Sequence, residues 1–345
     1  MICAAAALCC RLGAGGQKPA TSAGVRTAHD VLVQVLRAEE RVPFSARRTV
    51  VLANGDEAEA TVTDELNYGQ SRSRILYAMP AKAHGRSVIR DGKRRWTIEP
   101  EMRAVFESEV VHRPITPAQA SKIAEQVERS YDLSLGPGAP VVAGRKSVVL
   151  NLVPKRKDRQ RRIWWVDRET GLVLRREQYG IDGALEQTTA FSNLQVGASL
   201  NRAAIRPNIP AGYKVVHRPP DNAVTSLGAA KKLLREFGDI PASLGSGFDF
   251  QSASLVDAHG ARSLQVQYSD GLTGISLFKI PSRMTFTGTS GGSTRLVAVG
   301  STQGRLMDSV APYRVLTWEA SGATYNLVSD IADDTMIRIA GAVRF

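Results

Sequence analysis

Cysteine is absent outside one short run at the amino terminus, where Cys3, Cys9 and Cys10 are the only three in 345 residues. If that run is removed by processing, no disulfide remains and the fold must rest on packing and hydrogen bonding alone. Histidine is sparse as well. His29, His84, His112, His217 and His259 lie far apart, and none has a second histidine or a cysteine at ligand spacing, so no sequence-local metal site is expected. No apolar run approaches the roughly 20 residues needed to cross a bilayer as a helix. Glycine and proline are spread along the chain rather than gathered in repeats, and charged residues make up an ordinary 23%, which together exclude bulk disorder. Acidic residues are the minority charge, 33 against 45 basic, leaving a net charge of +12. Such a balance favours acidic partners, whether nucleic acid, anionic lipid headgroups or acidic protein segments.

What is present suffices for two cores: 345 residues with 43% apolar content exceed what one hydrophobic core usually serves. Residues 2–10 form an apolar run of export-signal length, followed by small and polar residues 13–23, but the preceding basic residues of such a signal are missing. Residues 1–25 are therefore expected to be an incomplete signal segment. Apolar spacing at Val31, Leu32, Val35 and Leu36 predicts an opening amphipathic helix over 27–40. Short β-rich segments follow at 44–53, 57–64, 74–78, 87–90, 95–98 and 103–106, separated by turn residues such as Asn54-Gly55 and Asp91-Gly92, which describes an antiparallel meander. Thr116-Pro117 supplies a cap and first-turn proline for a second helix to about 131. Strands are then expected at 141–153, 161–166, 172–179 and 185–191. The proline-rich stretch 201–222 reads as an irregular linker. Beyond it, Thr225 caps a helix to about Phe237, strands return at 254–257, 263–268, 274–280, 295–299, 313–319 and 323–328, and 330–342 carries helical spacing although Ile337 and Ile339 would also suit a strand.

The most basic stretch packs Lys155, Arg156, Lys157, Arg159, Arg161 and Arg162 into eight residues just before Trp164 and Trp165. It falls in the connection ahead of a hairpin whose turn is Arg168-Glu169-Thr170-Gly171, so it reads as an exposed loop. Adjacent tryptophans on a strand point to opposite faces and cannot form one stacking platform. A solvated, electrostatic loop is favoured over a nucleic-acid reader, and it would meet an anionic membrane surface or an acidic partner segment.

The motifs Ala143-Gly144-Arg145, Leu150–Pro154, Trp165-Val166-Asp167 with Thr170-Gly171-Leu172, and Phe191, followed by Tyr268-Ser269-Asp270-Gly271-Leu272 farther on, resemble the RseB/MucB family of sigma-factor regulators. The resemblance rests on Gly144, Arg145, Asp167, Gly171, Tyr268, Asp270 and Gly271 in this order and spans most of the chain after residue 26. It implies an α+β, mostly antiparallel fold: a LolA-like half-open β-barrel over 26–200 with helices in its concave side, then a smaller α+β domain over 223–345. It also implies a periplasmic or otherwise extracytoplasmic protein that binds a segment of a membrane anti-sigma factor and senses lipid or lipoprotein acyl chains. An apolar cavity for such chains would draw on Trp96, Phe106, Trp164, Trp165 and Phe191.

Signals for catalysis are weak. Gly288–Gly292 fits the GxSxG pattern, but Ser293–Val297 continues as a strand where a nucleophile elbow needs a helix. Residues 139–146 lack the first glycine and the Lys-Ser/Thr pair of a phosphate loop. Asp330, Asp333 and Asp334 suit the start of a helix. The expectation is a non-catalytic binding protein without cofactor or metal; a LolA-like carrier of acyl chains is the alternative, disfavoured by the second domain.

Overall fold

The computed structural model describes residues 26–54, 57–110, 114–197, 202–218, 223–258, 261–280, 293–308 and 313–343. The expected signal segment with its cysteines, Gly55, His112, His259, the 288–292 loop and parts of the expected linker lie outside these. Helix α1 (Ala28–Arg41) opens the fold. Thr27 accepts from the Asp30 amide while the Asp30 carboxylate accepts from the Thr27 amide, so the first turn satisfies its own exposed donors. Helix α2 (Pro117–Ser130) starts the same way on Thr116 and Gln119, with Pro117 in its first turn.

Strands β1 (Phe44–Asn54), β2 (Glu57–Gly69), β3 (Arg72–Met79), β4 (Ser87–Asp91), β5 (Arg94–Glu99) and β6 (Ala104–Glu109) form the meander expected from the sequence. After α2 come β7 (Tyr131–Leu135), β8 (Val141–Val142), β9 (Arg145–Pro154), β10 (Arg161–Asp167), β11 (Val173–Tyr179), β12 (Leu185–Val196) and β13 (Lys214–His217). They assemble into one open sheet of order β13-β6-β5-β4-β3-β2-β1-β12-β11-β10-β9-β7, with β8 on β9. Among the described strands only β13 pairs parallel, with β6. The stretch expected to be an irregular linker is thus partly docked: Ile205 and Tyr213 pack on Ile89, Trp96, Ile98 and Val105.

Both helices cover the opposite face of this sheet. Val31 and Leu32 of α1 meet Ala124 and Val127 of α2 over Leu150, Leu152 and Val166. The far end of α1 is clamped by the β2–β3 turn. Asn67 Nδ2 donates to the Glu39 and Val42 carbonyls at 2.7 and 3.0 Å, and the Gln70 amide donates to Glu40 O at 3.0 Å. Gly69, at φ +71°, allows this approach, since a Cβ there would stand 2.5 Å from Glu40 O.

The second sheet has the order β14-β15-β16-β20-β19-β18-β17. Its strands are β14 (Asp249–Ala258), β15 (Ala261–Ser269), β16 (Gly274–Ile280), β17 (Thr294–Val299), β18 (Thr302–Asp308), β19 (Arg314–Ala320) and β20 (Ala323–Ser329). Helix α3 (Leu227–Leu233) is capped by Ser226 rather than Thr225 and continues as a 3-10 turn over Arg235–Phe237. Residues 333–342 form helix α4 (Asp333–Ala342), which buries Thr335, Met336, Ile339 and Ala340, so the helical period there prevails over the β-branched pair. Strand β18 was not expected from its polar sequence. Its Gly304 has no room for a side chain, because a Cβ would lie 2.8 Å from Val299 Cγ2.

Gly69→Ala should lower the unfolding free energy by about 1–3 kcal/mol through strain at positive φ and the clash with α1. An unchanged denaturation midpoint would show that the turn does not clamp the helix.

Candidate functional site

Between α1 and the sheet lies a cavity of about 370 Å³. Val35 and Leu36 roof it, while Trp164, Val173, Thr189 and Phe191 rise from the strands below. Its polar wall is Arg48, whose Nε lies 2.9 Å from Glu65 Oε1 and whose Nη2 lies 3.3 Å from Glu39 Oε1. The same guanidinium sits 4.6 Å above the Phe191 ring. A second cavity of about 530 Å³ separates the two sheets and is lined by Trp164, Arg176, Leu272, Tyr313, Val328 and Asp330. Trp164 and Arg176 border both spaces and are cross-strand partners. Arg176 has no carboxylate partner among the described residues; burial, and then the Arg48 charge, lower its hold on its proton.

Of the five aromatic residues expected to line a lipid cavity, the structure brings two together, Trp164 and Phe191. Trp165 points to the other face, under the Arg175 guanidinium at 5.0 Å. Trp96 packs beneath the docked segment on the far side of the sheet, and Phe106 lies out on β6 with the Arg218 guanidinium 4.1 Å above its ring.

The basic run departs from the exposed loop expected for it. Lys155, Arg156, Lys157 and Arg161 are exposed, but Arg159 and Arg162 are buried. Arg159 Nε lies 2.6 Å from Asp270 Oδ2, and both side chains have no exposed surface. The same guanidinium reaches Asp158 Oδ1 at 3.0 Å, donates to the Ser246 carbonyl, and stacks 4.5 Å from the Phe248 ring. Arg162 donates to Tyr131 Oη at 3.1 Å and Thr273 Oγ1 at 3.0 Å, and lies 3.4 Å from Asp330 Oδ2. Burial pushes the Asp330 carboxyl up while Arg162 pulls it down, with a net rise. Asp158 closes the set by accepting from Thr335 Oγ1 at 3.0 Å, and its carbonyl accepts from the Ala332 amide. The loop is therefore a latch between the two sheets. The available signal was the interruption of the basic run by Asp158 and Gln160, both now buried.

The family-motif residues occupy the two ends of this arrangement. Asp270 Oδ1 accepts from the Leu272 and Thr273 amides at 2.9 and 2.7 Å, which holds the 268–272 turn. Gly271, at φ +102°, leaves room for α2, since a Cβ would stand 2.7 Å from Val127 Cγ2. Leu272 consequently enters the core of the first sheet. Tyr268 is buried and donates to Pro241 O. At the other end Arg145 lies 2.8 Å from Asp167 and 2.6 Å from Glu169, tying the Ala143-Gly144 turn to the turn at Gly171, against which Gln34 of α1 packs.

Asp333 lies 3.1 Å from Arg314 and also pairs with Arg295, and Asp334 is exposed. His29, His84 and His217 sit apart, beside Glu128, Ala78 O and Glu107 respectively.

Asp270→Asn and Arg159→Gln should each cost about 3–5 kcal/mol, because each leaves a buried charge without its partner. Neutralising Lys155, Arg156, Lys157 and Arg161 together should move stability by no more than about 1 kcal/mol. Equal losses from the two sets in urea denaturation would refute the latch.

The family model for the MucB/RseB N-terminal domain matches residues 27–209. The solved MucA/MucB complex of Pseudomonas aeruginosa is similar to this chain at 19% identity and a TM-score of 0.58, over 92% of this chain and 98% of that one. MucB in complex with MucA(peri) is similar at 20% identity and a TM-score of 0.60, over 92% and 98%. MucB solved by itself gives 19% identity and a TM-score of 0.53, over 91% and 96%. No curated protein sequence matches. At such identities the solved structures establish a shared fold, in keeping with the mixed, mostly antiparallel architecture seen here. With the family model covering more than half of the chain, the protein belongs to the MucB/RseB family.

Proposed function

We propose that the chain is an extracytoplasmic regulator that binds the periplasmic segment of a membrane anti-sigma factor in the cleft between its two sheets. The carrying observation is that cleft: about 530 Å³, beside the Arg159–Asp270 latch and sharing Trp164 and Arg176 as a wall with the cavity under α1. Support comes from family membership and from the MucB fold solved with MucA. The cleft offers Arg162, Arg176, Glu177 and Asp330 beside Leu272, Tyr313 and Val328, a mixture suited to an extended peptide with both polar and apolar side chains. The exposed Lys155, Arg156, Lys157 and Arg161 would speed encounter with an acidic segment or an anionic membrane surface more than tighten the complex. Nothing in this reading requires catalysis or a cofactor.

Tyr313 is the residue of choice for testing it, being 52% exposed at the cleft. Tyr313→Ser should leave the fold intact and weaken binding of a peptide spanning the periplasmic segment of the anti-sigma factor by about tenfold, as for an interface aromatic. Undiminished affinity in calorimetry would move the interface elsewhere.

A second reading, that acyl chains of lipid or lipoprotein enter the cavity under α1, is favoured by Trp164 and Phe191 meeting Val35 and Leu36 there. The full chain should then bind an apolar fluorescent probe and release it to an acylated peptide. Absence of probe binding would remove the lipid-sensing role.

A further inference from the structure

The helix-covered face of the first sheet continues past α1 onto β3–β6. Cross-strand register carries it from Ala46 through Glu65 and Ile75 to Val88, Thr97 and Phe106. Because side chains alternate along each strand, Arg90 and Arg95 stand on this face with Val88 and Thr97. They are directly opposite each other on β4 and β5. Arg218, just beyond β13, joins them by lying over Phe106, the partner of Thr97. Arg86 completes the group but is committed, 2.9 Å from Glu99 and stacked 5.2 Å from the Tyr77 ring. Arg90, Arg95 and Arg218 have no carboxylate partner among the described residues.

This arrangement is electrostatically costly without a ligand. Like charges directly opposite across a ladder destabilise a sheet. Arg90 is half-buried and Arg95 and Arg218 are exposed, so water softens this repulsion; partial desolvation, and then Arg90, Arg218 and Arg86 in turn, still weaken the Arg95 hold on its proton, so all three neighbours act on one guanidinium. The remaining surface of the group is hydrogen-bonding and apolar, from Ser108 beside Arg95 and from Phe106. A singly charged carboxylate would leave most of the positive charge uncompensated. A tetrahedral dianion presents several acceptor oxygens to several guanidinium forks at once.

We infer that Arg90, Arg95 and Arg218 form a binding site for a doubly charged oxyanion, inorganic phosphate or the phosphate monoester of a larger molecule. The site lies apart from the cleft and cavity described above, and it stands whether or not the chain binds an anti-sigma segment. Phosphate carries roughly 1.5 to 2 negative charges at neutral pH, so it matches this surplus.

The test is thermal unfolding and calorimetry of the full chain with inorganic phosphate, against potassium chloride at equal ionic strength. Phosphate should raise the midpoint beyond chloride, and Arg90→Gln or Arg95→Gln should weaken phosphate binding about tenfold or more. Without phosphate, Arg95→Gln should be at least as stable as the parent, which a purely structural arginine would not show. Cosedimentation with phosphatidic acid vesicles, absent with phosphatidylglycerol vesicles and lost in Arg95→Gln, would assign the phosphate to a lipid headgroup. A midpoint shift without vesicle binding would assign it to a soluble ligand. The site is overturned if phosphate does no more than chloride, if Arg95→Gln keeps the full effect, or if an oligoglutamate peptide competes as well as phosphate.

Discussion

The most deeply buried link between the two sheets is one ion contact, Arg159 with Asp270, around which Arg162–Asp330, Tyr131–Thr273 and Thr335–Asp158 gather. Taking both charges out of water is expensive, and their attraction offsets that cost only when the remaining donors and acceptors are also met. They are met here. Arg159 has Asp158 and the Ser246 carbonyl as well, and Asp270 has the Leu272 and Thr273 amides. The same aspartate therefore shapes its own turn and anchors it to the other sheet. With Oδ1 held by its own turn and Oδ2 beside Arg159, the Asp270 carboxylate ties the position of the turn to the first sheet.

That anchoring explains how the cleft can be both polar and definite in shape. Leu272 is driven into the first core, Gly271 allows α2 to approach, and Tyr131 and Arg162 bridge to Thr273. The walls that face the cleft are what remains after these contacts are made. Arg162 is spoken for, whereas Arg176, one strand away, is not. The cavity under α1 shares this boundary, with Trp164 and Arg176 lining both spaces.

Much of the local structure was legible in the sequence because local rules decided it. Both capped helices of the first sheet, the meander and the Thr170-Gly171 turn follow from caps, periods and turn residues within a few positions of one another. What escaped was decided at long range. A charge run looks uniform until it is known that Arg159 meets a residue 111 positions on in sequence, at Asp270. Strand β13, which pairs parallel with β6, sits in a proline-rich stretch with four exposed or half-exposed residues, so no buried face stands out from its sequence. Trp96 and Phe106 looked like cavity residues by type alone, and register placed them on opposite faces of the first sheet.

The excess of positive charge is best understood as three populations with different physics. Arg159 and Arg162 are buried and bonded at fixed geometry, so they are insensitive to salt and act on stability. Lys155, Arg156, Lys157 and Arg161 are solvated, contribute little to stability and act at range through their field. Arg90, Arg95, Arg176 and Arg218 stand on the helix side of the sheet without carboxylates among the described residues; Arg176 is largely withdrawn from water, Arg90 is half-buried, and Arg95 and Arg218 are exposed, and all four are short of counter-charge. Arginine dominates the first and third groups because a planar fork can stack on Phe248 or Phe106 and still direct its N–H edge elsewhere, which a lysine ammonium cannot do. A net charge of +12 therefore predicts neither one basic patch nor one partner. The chemistry of each guanidinium is set by what the fold places around it.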